Sequence, residues 1–217
     1  MKIEVFDDLV HFLAEELPLS ERLSFRPTPS AQQRLNTLAQ ICIAGHLTPE
    51  ERSEIEVKIQ LERLMQLARA RRASTERNFS SPSPGRPFSI LSNSKNRPHR
   101  CEYCLMHSED VYFEMTEHDV IAAQHGGHSG AENKAYMCVE CHLRKGSDVA
   151  SLTSNGQRIP LFHPRCQRWG AHFRAENGLI EPLTRIGEVT TRQLDLNDET
   201  RVQIRQTLAE QRLYPRR

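Results

Sequence analysis

The chain has 217 residues, a formal net charge of +1, and 37% hydrophobic and 26% charged residues. That balance excludes a histone-like protein that binds polyanions through its global charge. No stretch approaches the roughly eighteen apolar residues of a membrane span, so no membrane partner is expected. The start, Met1-Lys2-Ile3-Glu4, lacks the apolar region of a signal peptide, which points to the cytoplasm.

Val5, Leu9, Phe12 and Leu13 beside acidic residues predict a short amphipathic helix over 3–17, stopped by Pro18. A second helix is predicted from Ser30, as N-cap, to Ala44, with Gly45 at its far end. Thr48-Pro49-Glu50-Glu51 combines an N-cap threonine, a proline at the first helical position and the glutamate of a capping box, and a long helix to about Arg72 should follow. Ile55, Ile59, Leu61, Leu64, Met65 and Leu67 keep helical spacing along it. Residues 30–73 therefore form a predicted helical hairpin within an N-terminal region, 1–73, that suits packing, self-association into a homo-oligomer or docking of a protein partner. The end, Arg69-Ala70-Arg71-Arg72, has the charge of a solvated helix end or a phosphate contact.

Residues 74–98 carry Ser80-Ser81-Pro82-Ser83-Pro84-Gly85-Arg86-Pro87 and no sustained period, the composition of a linker. Beyond it the composition shifts, since eight of the ten histidines lie between His99 and His172. A third region, 99–217, is where chemistry is to be sought.

Cys101-Glu102-Tyr103-Cys104 and Cys138-Val139-Glu140-Cys141 are two CxxC knuckles separated by 33 residues. Four thiolates at such spacing suit a tetrahedral Zn²⁺ closed to solvent, a structural rather than a catalytic arrangement. A thioredoxin-like redox site requires one CxxC opening a helix in a βαβ context, which the sequence lacks. Of the two remaining cysteines, Cys42 sits on an apolar helix face, and Cys166 has no partner at ligand spacing.

Between the knuckles, Val111-Tyr112-Phe113-Glu114-Met115-Thr116 has strand-like composition and leads into Glu117-His118-Asp119-Val120-Ile121. A loop is expected at His125-Gly126-Gly127-His128-Ser129-Gly130. A helix opening near Glu132-Asn133-Lys134 should then carry the second knuckle and end at Lys145-Gly146. Trp169 and Phe173, one helical turn apart, suit an anchor of a helix onto the finger. Gly178 to Leu194 alternates enough for a short strand or hairpin, and Asn197-Asp198-Glu199 caps a closing helix through about Leu213. The fold class read from these elements is α+β: a helical hairpin and a zinc-stapled finger with a strand and helix extension.

The order CEYC, an acidic-histidine strand end, HGG, an asparagine five residues before CxxC, and CHLRKG resembles the HNH endonuclease family in its four-cysteine zinc form. Gly146-Ser147-Asp148, Pro160-Leu161-Phe162-His163-Pro164-Arg165 and Arg168-Trp169-Gly170-Ala171-His172-Phe173 extend the resemblance toward stand-alone bacterial HNH proteins, over roughly 97–217. The resemblance implies a ββα-metal finger that hydrolyses phosphodiester bonds of nucleic acid, DNA above all, with Mg²⁺ or Mn²⁺ beside the structural Zn²⁺.

Position by position, the resemblance makes His142 a ligand of the catalytic ion and Asn133 the residue that orients the catalytic histidine. The first letter is inverted. Members place a histidine six residues before the HGG histidine, preceded by an acidic residue, whereas here Asp119 holds that place and His118 the one before it. A one-residue bulge at the strand end would put His118 in the base position behind Glu117. Otherwise Asp119 serves as base or metal ligand with His118 as the other, or the site does not cut. Arg97, Arg100, Lys134, Arg144 and Lys145 are the candidate phosphate contacts. His125 and His128 are further loop histidines within reach of a phosphate. The alternatives to a nuclease are a degenerate zinc module that binds nucleic acid without cleaving it, and an adaptor whose finger presents the hairpin to a protein partner.

Overall fold

The computed structural model describes residues 26–44, 46–77 and 99–216. The helix expected over 3–17, the body of the linker and Arg97 lie outside the described residues. The chain is α+β: among the described residues, helices combine with three two-stranded antiparallel sheets around a buried four-cysteine cluster. No helix among the described residues is long and apolar enough to cross a membrane.

Helix α1 spans Pro29–Ala44. Its cap is Thr28 rather than Ser30: the Thr28 hydroxyl accepts the Ala31 N–H at 3.2 Å, which leaves Pro29 at the first position, where a missing N–H costs nothing. Helix α2 spans Pro49–Arg77 and continues into the first residues of the Ser/Pro-containing stretch. The capping box predicted at its start is formed, with Thr48 N–H on the Glu51 carboxylate at 3.1 Å and Glu51 N–H on the Thr48 hydroxyl at 3.2 Å.

Strand β1, Thr116–Asp119, pairs antiparallel with β2, Lys134–Met137, placing His118 opposite Ala135 and Asp119 opposite Lys134. The strand expected from Val111 is absent before Thr116. The Glu62 carboxylate of α2 accepts the backbone N–H groups of Tyr112 and Phe113 at 3.0 and 2.8 Å, so a side chain fifty or so positions away takes the donors a ladder would have used. Nor does a helix open near Glu132. Ala131–Asn133 forms a single 3₁₀ turn, and the alternating burial of Ala135 and Met137 suits β2, the partner that β1 requires. Helix α3, Val139–Lys145, then carries the second knuckle and ends, as expected, at Gly146, with φ +51°.

A hairpin of β3, Ala150–Leu152, and β4, Arg158–Pro160, follows, then the single-turn helix α4, Trp169–His172. Strands β5, Phe173–Glu176, and β6, Leu179–Pro182, form the hairpin foreseen in part near Gly178. The stretch beyond it is not strand. Helix α5, Arg185–Gln193, is capped by the Thr184 hydroxyl and buries Val189 and Thr190. Helix α6, Glu199–Glu210, is capped by the Asp198 carboxylate through Thr200 and Arg201 N–H.

The main core joins the knuckles to this C-terminal extension. Phe162 packs edge-on against Tyr103 and Phe173, and Ile180, Leu194, Leu196 and Ile204 are fully buried around them. Trp169 Nε1 donates to the Tyr103 carbonyl at 2.9 Å, and the Tyr214 hydroxyl to the Cys104 carbonyl at 2.8 Å, so the middle and the end of the extension are both tied to the first knuckle. A second cluster, Leu35, Met65, Tyr112, Phe113 and Val139, seats the helical hairpin on α3. Glu62→Ala withdraws a buried acceptor from two backbone donors of that junction. We expect a loss of about 3 kcal/mol in urea unfolding, given about 1–3 kcal/mol per orphaned buried group.

Candidate functional site

The four-cysteine centre is assembled from a turn and a helix start. Cys101 and Cys104 sit on the turn closed by Cys101 N–H to the Met106 carbonyl, and Cys138 and Cys141 on the first turn of α3. All four are buried, and their sulfurs lie within 4.8 Å of one another, with Cys104 and Cys138 Sγ 3.7 Å apart. A tetrahedral Zn²⁺ with Zn–S bonds of about 2.3 Å separates its sulfurs by about 3.8 Å, so the residues fit the ion. The thiols alone resist joint ionisation. Hydrogen bonds from Cys101, Cys138 and Cys141 hold Cys104 well below the usual thiol range, whereas proton sharing with Cys101 raises Cys138 and burial raises Cys141. A divalent cation removes that conflict, because the ligand is the thiolate.

The second constellation lies at the junction of β1, α1 and the loop after β1. Strand alternation turns Thr116 and His118 inward and leaves Glu117 and Asp119 exposed. The register is regular from Thr116 to Asp119 and carries on into Val120 N–H on the Asn133 carbonyl at 2.7 Å, so no bulge occurs there. The ring of His118 stacks on that of His142, centroid to centroid 3.2 Å at an interplanar angle of 17°. The Thr116 hydroxyl lies 2.5 Å from His118 Nε2 and fixes the ring. Desolvation lowers the pKa of His118 to about 4 and that of His142 well below the usual imidazole value, so both rings are neutral at neutral pH. His142 is buried, and its Nε2 meets no hydrogen-bond partner among the described residues.

A cleft of about 340 Å³ opens beside His118, and the buried His142 is not among its lining residues. Glu117, His118 and Asp119 line one side, and Gln40, Ile43 and Ala44, from the last turns of α1, line another. The contribution of α1 has no local signal, since these residues belong to an ordinary amphipathic helix and reach the cleft only because the hairpin docks on α3.

Asn133 is where it must be to hold the loop. Its Oδ1 accepts Ile121 N–H at 2.9 Å, and its Nδ2 donates to the Ile121 and His128 carbonyls at 2.8 and 2.7 Å. The glycines of HGG follow from the same packing. Gly126 has φ +81°, and a Cβ on Gly127 would fall 1.8 Å from the Ile121 carbonyl oxygen. Gly127→Ala is therefore expected to destabilise by about 3 kcal/mol, the scale of a backbone clash that rotamers cannot relieve, as read by thermal unfolding.

The candidate phosphate contacts are separated by their surroundings. Lys145 is fully buried and donates to the Val120 and Asp148 carbonyls at 2.6 and 3.0 Å, which withdraws it from any phosphate and makes it a staple between α3 and the end of β1. Burial lowers its pKa to about 8. Lys134 pairs with Asp119 at 2.6 Å, Arg144 with Asp195 at 3.0 Å, and the exposed Arg100 donates to the Arg216 carbonyl. His125 and His128 are exposed in the loop.

Two residues beside the cysteines escaped the sequence reading. Arg201 Nη2 donates to Cys141 Sγ at 3.1 Å, and Glu140 lies 3.6 Å from Arg201 Nε. Sixty positions separate Arg201 from Cys141, and nothing local marks such a pair. No family model matches the chain, and neither a curated protein nor a solved structure matches it.

Proposed function

We propose that the chain is a metal-dependent HNH-type endonuclease that hydrolyses phosphodiester bonds of nucleic acid, with DNA as the favoured substrate. The observation that carries the reading is that His118, which lines an open cleft, stacks on the buried His142. It supports His118, rather than Asp119, as the base on the ground of facing alone: with no bulge in β1, the inward face that meets α3 carries His118, and Asp119 is left to the other role, that of a metal ligand. Burial keeps the His118 imidazole unprotonated, the form that accepts a proton from an attacking water, while its lowered pKa makes it a weaker base than a histidine that titrates near neutrality. Asn133 holds the loop on which the cleft depends.

An acidic side chain of the cleft, Asp119 or Glu117, would hold Mg²⁺ or Mn²⁺ together with the partnerless Nε2 of His142, which is buried and would have to be uncovered by a shift of the His118 ring stacked on it. Such an ion, when bound, would supply charge relief for the phosphoryl oxygens and the departing 3′ oxygen. Lys134, Arg144 and Arg100 would contact backbone phosphates by exchanging their present partners. The helical hairpin, through Gln40 and Ile43, would shape what enters, and its outer surface remains the proposed site for self-association or a protein partner.

A second reading, a zinc module that binds nucleic acid without cutting, draws on the Asp119–Lys134 pair, which engages the carboxylate at 2.6 Å. Supercoiled plasmid incubated with the zinc-loaded protein separates the two. Nicking with Mg²⁺ or Mn²⁺ that EDTA abolishes is the expected result; salt-dependent binding without nicking under either metal would transfer the case to the second reading.

A further inference from the structure

A chain of buried charges runs from the N-terminal hairpin to the cysteine cluster. Arg63 of α2 donates through Nε to Glu140 Oε1 at 3.1 Å, makes a second, shorter contact through Nη2, and pairs through Nη1 with Asp198 Oδ1 at 3.1 Å. Glu140 is buried between the cysteines of the second knuckle, and its other partners are Arg144 at 3.5 Å and Arg201 at 3.6 Å. Arg201, also buried, donates to Cys141 Sγ at 3.1 Å and to the Leu194 and Asp195 carbonyls at 2.7 and 3.0 Å.

The arithmetic of charge gives this chain a direction. A divalent ion on four thiolates is a buried group of net charge −2, and Arg201 is the cation that touches it. Glu140 competes for the same guanidinium, and Arg63 supplies the counter-charge that satisfies Glu140. Without Arg63, Glu140 would keep only the longer contact to the partly exposed Arg144 at 3.5 Å and would draw Arg201 more strongly, since the attraction between charges is weakly screened in a low-dielectric interior.

We propose that Arg63, a residue of the N-terminal helical hairpin, is a positioning residue of the metal centre: by satisfying Glu140 it leaves Arg201 free to hold the Cys141 thiolate. The hairpin is thereby part of the four-cysteine site, and docking of α2 and retention of the metal strengthen each other. This rests on metal occupancy of the four cysteines and not on the nuclease reading.

The test measures transfer of zinc from the full-length loaded protein to a chromophoric chelator, followed by absorbance, with far-UV circular dichroism as a check on folding. Arg63→Met is expected to raise the rate of zinc release by about tenfold, the lower end of what outer-shell partners of metal ligands contribute. Arg63→Met with Glu140→Gln removes the competing charge together with its partner and is expected to restore release to near the original rate. Release from Arg63→Met at the unaltered rate would overturn the proposal. So would a double variant that loses zinc as fast as the single one, because that result would trace the loss to damaged packing.

Discussion

Replacing Cys141 with serine is expected to abolish the zinc binding proposed for the four-cysteine cluster and lower the melting temperature by more than about 10 °C. The reasoning starts from size. Without the extension the finger is too small to bury an adequate core, and structural zinc contributes about 10–16 kcal/mol to the folding of comparable fingers, as much as the whole stability of a typical domain. The C-terminal extension offsets part of that loss, because Phe162, Phe173, Ile180 and Leu196 bury their own surface. A net loss of several kcal/mol still translates into more than about 10 °C for a chain of this length, at about 2–4 °C per kcal/mol. Zinc content by elemental analysis and thermal melts of the variant, beside the original protein dialysed against a strong chelator, provide the check. Cys42→Ser, on α1 and outside the cluster, should change neither by much. Full zinc content with an unchanged melting temperature in the Cys141 variant would contradict the assignment of the metal to these four sulfurs.

On the proposed nuclease reading, His118→Ala is expected to reduce metal-dependent cleavage of plasmid by about 10²–10⁴-fold, the usual contribution of a positioned general base. His142→Ala should produce a comparable loss by removing the proposed ligand nitrogen, whereas Asp119→Asn should cost less, because Asp119 lies on the outward face of β1 and pairs with Lys134. The order of these effects is the informative quantity. A larger loss in Asp119→Asn than in His118→Ala would return Asp119 to the role of base. Loss of the His118–His142 stack also removes buried contact, so each variant has to be compared at matched fold content, read by circular dichroism and zinc stoichiometry.

Much of the metal centre and of the helix starts was legible in the chain. CxxC spacing brings two sulfurs together on a single turn wherever it occurs, and Thr48 with Glu51 close their box through contacts three residues apart. The same holds for the Gly146 cap and the helix that follows Asp198. These are local effects, with partners a turn away in the sequence. Val111–Met115 shows the opposite case: its composition favours a strand, yet the carboxylate of Glu62 captures the donors that pairing would have required. Composition likewise misled at Arg185–Gln193, where a capping threonine and a helical spacing of Val189 with the core prevailed over an apparent alternation.

What the sequence alone determined, then, is the identity of the four sulfurs that cluster as a metal site would require, the hairpin of α1 and α2, and the stretch of chain in which the histidines gather. Tertiary structure decided which histidine faces which. The inverted His118-Asp119 pair is ambiguous along the chain because a strand presents alternate residues to opposite sides, and only the packing of β1 against α3 selects the side that is buried. It also decided that Lys145 is a staple rather than a phosphate contact, that α1 walls the cleft, and that Arg201 and Arg63 reach the cysteines from distant segments. Such contacts depend on burial and long-range charge pairing, which fix themselves only once the elements are docked.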